Sequence, residues 1–333
     1  MLPDVAYVDL MKVAKRTEDM TEWVYSMMDM AMTHQTIAED ALTKRKVVTA
    51  GDAFLRAAIY NHFAQMNEFM NVPAKLEAVR RTVQNYNEAA PLLDPPSERV
   101  EVPFENITLP GFLRLPRKGN PRPPCVLIHG GLDSTKEELH FFQDLCLSRG
   151  LATFAFDGPG QGEVTTKMRA RYDYDRPVSA IIDYLETRDE IDNDRIGIIG
   201  RSAGGYYAPR AAAFEKRLKA CVAWGALYEI DWENMPNLHE NFSYDCGMNY
   251  EEAKDYARLF SLKGVAEKIT CPLYVLHGKL DPLIPWEQAA RLAKEASGPT
   301  ELNVEEEGTH VATNIKHIVN PKMADFLAAT LLP

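Results

Sequence analysis

The sequence predicts an α/β fold in which a mostly parallel sheet carries helices on both faces and is preceded by a helical N-terminal cap domain. Residues 1–95 contain no convincing strand, and their apolar residues recur at helical spacing. From residue 96 onward, short apolar runs alternate with amphipathic helical stretches. Strands that are apolar on both faces and are each followed by a helix are typical of a parallel sheet covered on two sides.

In the first part, apolar residues follow a helical period over residues 20–30 and again over 55–70. Three prolines within residues 89–102 then end the helices and begin extended chain. We therefore place the domain boundary there, with a cap domain over 1–95 and a catalytic domain over 96–333.

Five apolar runs beyond this boundary are predicted strands. An insertion at about residues 228–263 is rich in acidic and aromatic residues, and we expect it to form a small lid. The runs are PCVLIHGG, LATFAFDGPG, DRIGIIGRSAGG, LKACVAWGAL and CPLYVLHGKLD.

The composition is that of a globular protein of 333 residues, 46% of them hydrophobic, with a net charge of -11. This charge would repel a phosphate backbone, so we expect no nucleic-acid partner. The N-terminus lacks a basic start with an apolar run, and nowhere do about 18 apolar residues follow one another. We therefore expect a cytoplasmic protein that does not enter a membrane.

None of the five cysteines forms a CxxC pair, and three lie in apolar runs, where a thiol behaves as a small hydrophobic group. We predict free, buried thiols. No metal-ligand spacing is present, and we expect neither a metal nor an organic cofactor. The cysteines are Cys125, Cys146, Cys221, Cys246 and Cys271.

A candidate nucleophile is Ser202, in the pattern Gly-x-Ser-x-Gly between an apolar strand and a helical stretch. The turn from strand to helix must be sharp there, and Gly200 and Gly204 lack the side chains that would collide. A glycine-serine turn that caps a helix would give the same five letters. The strand before the pattern and the helix after it favour a nucleophile in an α/β-hydrolase fold.

A serine nucleophile needs a histidine base and a carboxylate that orients it, in the chain order serine, acid, histidine. Among eight histidines, only His310 lies directly after the last predicted strand and beside a glycine. His317 falls in a predicted helix, and His277 ends a strand and is expected to order its loop. We predict Asp281 as the acid. The loop after the preceding strand offers three alternatives, namely Glu229, Asp231 and Glu233.

The oxyanion hole of this fold uses the amide after the nucleophile and one from a loop after an earlier strand. Ala203 would supply the first amide. Gly131 in the His-Gly-Gly turn would supply the second, with Leu132 as the alternative. Asp157 precedes the nucleophile strand, and we expect it to hydrogen-bond within its own turn.

Several segments together resemble one group of α/β-hydrolases. These segments are HGGLDSTKEE, FDGPGQGE, GRSAGG, LHGKLD, GTH and, in the helical part, AGDAFLRAAIYNHFAQM. The group contains the 2,6-dihydroxypseudooxynicotine hydrolases of bacterial nicotine breakdown, fungal hydrolases that shorten polyketides, and FrsA-like esterases.

The resemblance implies hydrolysis of a carbon–carbon bond between a ketone and a hydroxylated ring, or within a 1,3-diketone. It also implies that Ser202, Asp281 and His310 act as the triad and that Glu233 lies near the substrate. Methionines of the cap, such as Met27, and the aromatic Trp23 favour an apolar or aromatic small molecule.

Two alternatives remain open at this point. The same triad would serve an esterase, thioesterase or amide hydrolase, and a hydrolase-fold protein can instead act as a ligand receptor without catalysis. The apolar cap helices also make a homodimer plausible.

Overall fold

The computed structural model describes residues 5–66 and 68–332. Its first part is helical, and the apolar faces of these helices share one core that includes Met27, Ile59 and Tyr86. Asn71 caps the fourth helix by accepting a hydrogen bond from the Ala74 amide at 3.1 Å. The helices are α1 (Tyr7–Arg16), α2 (Trp23–Thr43), α3 (Val47–Gln65) and α4 (Val72–Ala89).

One eight-stranded sheet follows, in the order β1-β2-β4-β3-β5-β6-β7-β8. The second strand pairs antiparallel with both of its neighbours, and all the other pairs beyond it are parallel. The strands are β1 (Glu98–Phe104), β2 (Ile107–Arg114), β3 (Pro124–His129), β4 (Ala152–Phe156), β5 (Asp192–Arg201), β6 (Leu218–Trp224), β7 (Leu273–Gly278) and β8 (Thr300–Glu305).

Helices cover both faces of this sheet because its central strands are apolar on both sides. Successive residues of β5 illustrate this, since Ile198 packs into the core with α6 and α7 while Ile199 packs into the core with α5 and α11. The predicted mostly parallel sheet with helices on both faces is confirmed. The covering helices are α5 (His140–Leu147), α6 (Asp175–Leu185), α7 (Gly204–Phe214), α10 (Glu287–Glu295) and α11 (Lys316–Leu331).

The segment between β6 and β7 contains two short helices, α8 (His239–Cys246) and α9 (Tyr250–Ala257). An isolated bridge between Glu229 and Ser261 joins the two ends of the segment that we expect to be a lid. The division near residue 95 stays a prediction; that position falls between α4 and β1.

Four of the five cysteines are buried free thiols, and Cys271 is a partly buried one. Burial raises the pKa of the Cys125 thiol well above its usual value. Within the described ranges, no helix is both long enough and apolar enough to cross a bilayer.

Candidate active site

Ser202 occupies the turn between β5 and α7 with a left-handed backbone, at a φ of 61°. Glycines make this turn possible. A Cβ on Gly200 would lie 2.1 Å from the Gly204 carbonyl oxygen, and one on Gly205 would lie 2.6 Å from the Gly225 oxygen. Since real Cβ atoms do not approach backbone so closely, these positions require glycine, and the serine hydroxyl is left at the carboxyl edge of the sheet.

The structure brings together the three side chains that the sequence predicts as a triad. Ser202 Oγ lies 2.8 Å from His310 Nε2, and His310 Nδ1 lies 2.8 Å from Asp281 Oδ2. The carboxylate accepts from Nδ1, so Nε2 is left to accept the serine proton. In serine hydrolases, a hydrogen-bond chain of this kind activates the serine hydroxyl.

Asp281 is held as an anion. Its side chain is fully buried, and its Oδ1 accepts hydrogen bonds from the Leu283 amide at 2.8 Å and the Ile284 amide at 3.1 Å. Burial alone would raise the pKa of this carboxyl, but the hydrogen bond and charge of His310 together with the two amides hold it below the usual value. The acid therefore stays ionised while it orients the imidazole.

The loop that carries His310 is fixed from two directions. Trp224 of β6 donates its indole N–H to the Val311 carbonyl at 2.7 Å, and the Thr313 hydroxyl donates to the His310 carbonyl at 3.0 Å. Val311 and Ala312 adopt left-handed φ angles of 50° and 51°. Such angles strain an L-residue, and surrounding contacts must maintain them.

Three residues that line the cavity around Ser202 have backbone amides without an acceptor among the described residues. In the part of the chain that the structure describes, the N–H groups of Gly131, Leu132 and Ala203 donate no hydrogen bond. A Cβ on Gly131 would lie 2.6 Å from the Ala203 nitrogen, so the two loops meet at this point. The arrangement offers both donors that an oxyanion hole requires.

Gln161 orients the glycine turn, which is a role that the sequence patterns did not reveal. Its side-chain amide donates to the Gly130 carbonyl at 2.7 Å and to the Gly131 carbonyl at 3.0 Å. Because C=O and N–H point in opposite directions across a trans peptide, the next amides, those of Gly131 and Leu132, point away from Gln161.

A cavity of about 140 Å³ contains Ser202 and His310. Its walls are mostly apolar, with Met66 from the cap and Leu238 from the lid segment. Asn241 of α8 also lines the cavity, and its buried Oδ1 has no hydrogen-bond partner among the described residues. A buried acceptor or donor without a partner is available to a ligand.

A larger cavity of about 310 Å³ lies beside the first and is lined by Ile59 and Phe63 of α3 together with apolar residues of α5. Arg201 and Glu138 line both cavities and form an ion pair with each other. His62 Nε2 of the cap lies 3.3 Å from Glu138 Oε2. Burial opposes ionisation of Glu138, but the Arg201 and His62 charges hold its pKa well below the usual value.

Comparison with known proteins connects this site with a family. The family model described as esterase FrsA-like matches residues 15–244, which is more than half of the chain, and the model of an uncharacterised family matches residues 164–328. The chain belongs to the FrsA-like family of α/β-hydrolases. The protein is therefore a hydrolase.

Two curated relatives and one solved structure are similar to the enzyme. The 2,6-dihydropseudooxynicotine hydrolase of Paenarthrobacter nicotinovorans is 36% identical over 341 residues, which cover 100% of this chain and 90% of the relative. A crystal structure of 2,6-dihydroxy-pseudo-oxynicotine hydrolase has a TM-score of 0.91 at 34% identity and covers 99% of this chain and 94% of that one.

A fungal relative is the 20-hydroxy-prefusarin hydrolase of Gibberella moniliformis, 36% identical over 243 residues, which cover 67% of this chain but 57% of the relative. The enzyme thus spans little more than half the length of this fungal protein. The predicted group resemblance is confirmed.

The residues predicted to contact substrate lie elsewhere in the enzyme, and this prediction finds no support in the geometry. Glu233 is on the outer surface of the lid segment, with a side chain 74% exposed and an ion pair to Lys254 at 2.6 Å. Met27 is fully buried among the cap helices, and Trp23 donates its indole N–H to the Phe63 carbonyl at 2.8 Å. All three are outside the set that lines the Ser202 cavity.

The acids that were alternatives to Asp281 have other partners in the enzyme. Glu229 pairs with Arg291 at 2.8 Å, and Asp231 accepts from Asn234 at 2.7 Å. Asp157 hydrogen-bonds within its own turn as expected, since its Oδ2 accepts from the Glu163 amide at 3.2 Å, and it also binds Lys136 through the side chain at 2.9 Å and the backbone amide at 2.7 Å. A buried carboxylate requires a charged partner more than a turn amide.

His277 donates from Nε2 to the Ile284 carbonyl at 2.9 Å, which fits the predicted ordering of its loop. The helix that matches the segment AGDAFLRAAIYNHFAQM is α3, and it contributes His62 next to Glu138 and Phe63 in the larger cavity. Helix α3 therefore contributes to the wall of the larger cavity.

Proposed function

We propose that this enzyme hydrolyses a carbon–carbon bond next to a ketone, in an acylated hydroxyarene or a 1,3-diketone, with Ser202 as nucleophile. The observation that carries the proposal is the hydrogen-bond chain from Ser202 through His310 to Asp281. It occurs in a chain that aligns over its full length with a hydrolase of 2,6-dihydropseudooxynicotine.

In the proposed reaction, Ser202 Oγ attacks the ketone carbon and passes its proton to His310 Nε2. The amides of Ala203 and of Gly131 or Leu132 bind the oxyanion. When the tetrahedral intermediate collapses, the carbon–carbon bond breaks, and its electron pair goes to the ring or enol carbon. His310 delivers its proton to that carbon, which makes the carbanion-like leaving group tolerable.

The acyl group is then an ester of Ser202. Water attacks this ester, gives a proton to His310, and a carboxylic acid leaves as the serine recovers its hydrogen. Direct attack by activated water on the ketone would give the same products without the ester. Rapid quenching followed by intact-protein mass spectrometry distinguishes the two, because only the first route adds the acyl mass to Ser202.

Asn241 supports a substrate that carries a hydroxyl group. Its side-chain amide lies in a mostly apolar cavity and has an unpaired buried oxygen. A ring hydroxyl of the substrate would donate to this oxygen, while the apolar wall would accept the ring. We place the leaving ring, rather than the acyl group, against the lid helix α8.

The second candidate function is hydrolysis of an ester, thioester or amide, which uses the same side chains and needs no protonation of carbon. The family description as FrsA-like esterase supports this alternative. A non-catalytic ligand receptor is the third, and the intact hydrogen-bond chain at Ser202 argues against it.

The deciding experiment compares the wild type with Ser202→Ala on an acylated dihydroxyarene, a 1,3-diketone and an aryl ester of the same acid, with products identified by mass spectrometry. Cleavage of the ketones by the wild type alone supports the proposal. Cleavage restricted to the ester favours the second candidate, and equal turnover by Ser202→Ala refutes the nucleophile.

We further propose a cytoplasmic homodimer. Free thiols fit a reducing compartment. Apolar side chains stand exposed on the cap, including Tyr7 at 61% and Val48 at 70%, and would be covered by a second copy. Fractionation of the native cells and light scattering after size exclusion test the two statements; a monomer across micromolar concentrations contradicts the second.

A further inference from the structure

Asp133 follows the glycine turn that would bind the oxyanion, and elements from outside the sheet bind its polar groups. Its amide donates to Asp245 Oδ2 of α8 at 3.1 Å. Its carbonyl accepts from Gln65 at the end of α3 at 2.8 Å. Its carboxylate forms an ion pair with Lys75 of α4. The residue itself has a left-handed φ of 59°.

The ion pair between Lys75 and Asp133 is almost completely buried. The Lys75 side chain is 4% exposed and that of Asp133 is 3% exposed. Lys75 Nζ also donates to the backbone oxygen and to Oε1 of Gln65, both at 2.8 Å. The ring of Phe69 lies 4.8 Å from the same ammonium. A desolvated charge held by three oxygens has little freedom to move.

We propose that Lys75 is a positioning residue of the reaction. By holding Asp133, it fixes the loop directly after the Gly131 and Leu132 amides. Gln161 fixes the preceding part of the loop through the Gly130 and Gly131 carbonyls. The inference rests on the proposed function, because it concerns the oxyanion hole of that reaction. The cap then determines catalytic geometry as well as covering the pocket.

The strain at Asp133 is the reason that such a clamp is needed. A left-handed φ is less favourable for an aspartate than an extended or helical one, so the loop would relax without external contacts. Movement of oxyanion donors by about 1 Å lowers rates on the order of a hundredfold. Binding of the substrate depends mainly on the cavity walls and should change much less.

The test uses Lys75→Met and Asp133→Asn in the full-length protein. Lys75→Met keeps much of the side-chain volume and removes the charge, while Asp133→Asn keeps an acceptor and tolerates the left-handed backbone. Arg114→Met is the matched control, because Arg114 is another buried cation, with a side chain 1% exposed, that pairs with Asp144 and does not line the Ser202 cavity.

The readouts are kcat, KM, the rate of labelling by a fluorophosphonate, and the melting temperature. We expect Lys75→Met to lower kcat and the labelling rate together by about 10- to 100-fold with KM changed less than about threefold. Asp133→Asn should show a smaller decrease of the same kind. Arg114→Met should lower the melting temperature alone.

Wild-type kcat and labelling in a folded Lys75→Met would overturn the proposal, as would an equal loss of kcat in Arg114→Met. If Lys75→Met does not fold, Asp133→Asn decides between the same outcomes. If the wild-type protein neither turns over substrate nor reacts with the fluorophosphonate, the nucleophile of the proposed function is refuted. If the wild type is labelled and Lys75→Met behaves like it, only the role of Lys75 is refuted.

Discussion

Asp281 contacts His310 through a single oxygen, Oδ2, at 2.8 Å, while its other oxygen is occupied by two backbone amides. The carboxylate is therefore fixed before it orients the imidazole. This relationship separates Asp281 from the three rival acids that the sequence left open. Those acids have other partners: Glu229 pairs with Arg291, Asp231 with Asn234 and Glu233 with Lys254.

The first prediction concerns this pair. Asp281→Asn should lower kcat by on the order of 10⁴-fold, since an amide can donate to His310 Nδ1 and stabilise the wrong tautomer. The matched control is Glu229→Gln, which also neutralises an acid of the neighbouring loop and should retain kcat within about twofold. Steady-state kinetics on the same substrate measure both values of kcat. A larger loss of kcat in Glu229→Gln than in Asp281→Asn would make Glu229 the acid.

The second prediction is a pH dependence of stability. The folded-state pKa of Asp281 lies below its usual value of 3.8, so the ionised carboxylate stabilises the fold at higher pH. The free energy of unfolding that separates the wild type from Asp281→Asn should shrink as the pH falls below about 4, where the carboxylate becomes protonated. Urea unfolding at a series of pH values measures this difference, and a gap that widens in acid would contradict the assignment.

The third prediction tests the meeting of the two oxyanion loops. Gly131→Ala would place a Cβ 2.6 Å from the Ala203 nitrogen and 2.9 Å from Ser202 Cβ, and we expect kcat to fall at least about a hundredfold. Gly264→Ala is the control, because its Cβ would meet no atom within 4 Å although its φ of 71° is strained. The control should lose stability while kcat is retained.

The fourth prediction assigns specificity to Asn241. Asn241→Leu should lower kcat/KM for a hydroxylated ring substrate by about 10- to 100-fold, because the ring hydroxyl would lose its partner. For an analogue without that hydroxyl, the variant should equal or exceed the wild type. A parallel loss on both substrates would indicate that the side chain shapes the cavity instead of reading the hydroxyl.

The fifth prediction concerns the ion pair between the two cavities. Glu138→Gln leaves the Arg201 guanidinium without its counter-charge, and we expect a loss of about 3 kcal/mol in the free energy of unfolding. Asp325→Asn removes the partner of Arg149 in a pair whose carboxylate is 67% exposed, and it should cost less than about 1 kcal/mol. Urea denaturation distinguishes these values easily, and equal effects would contradict a buried pair.

Much of the fold could be predicted because its signals are local. The strand-turn-helix context of Ser202 and the placement of His310 after the last strand are properties of short segments. Parallel strands then bring their carboxyl ends to one edge, which is how residues separated by 108 positions come within 2.8 Å. The chain order of the triad followed from the same reasoning.

The features that the sequence did not predict depend on contacts between distant segments. Gln161 and Lys75 act on the glycine turn from 30 and 58 residues away, and no spacing rule connects them to it. Met27 is apolar and Trp23 is aromatic, as residues that line a pocket often are. Apolar residues at helical spacing also pack between helices, and the structure places Met27 in the core of the cap helices and Trp23 against it. Glu233 is acidic and close in sequence to the site, yet the lid segment turns it outward.

The 108 positions that separate Ser202 from His310 have a consequence for synthesis of the protein. The ribosome releases the turn that carries Ser202 before the loop that carries His310. Trp224 fixes this loop by donating a hydrogen bond to the Val311 carbonyl. A nascent chain that lacks this loop contains the serine turn but no base. The serine should therefore remain unreactive until the loop with His310 has been synthesised and has packed against Trp224.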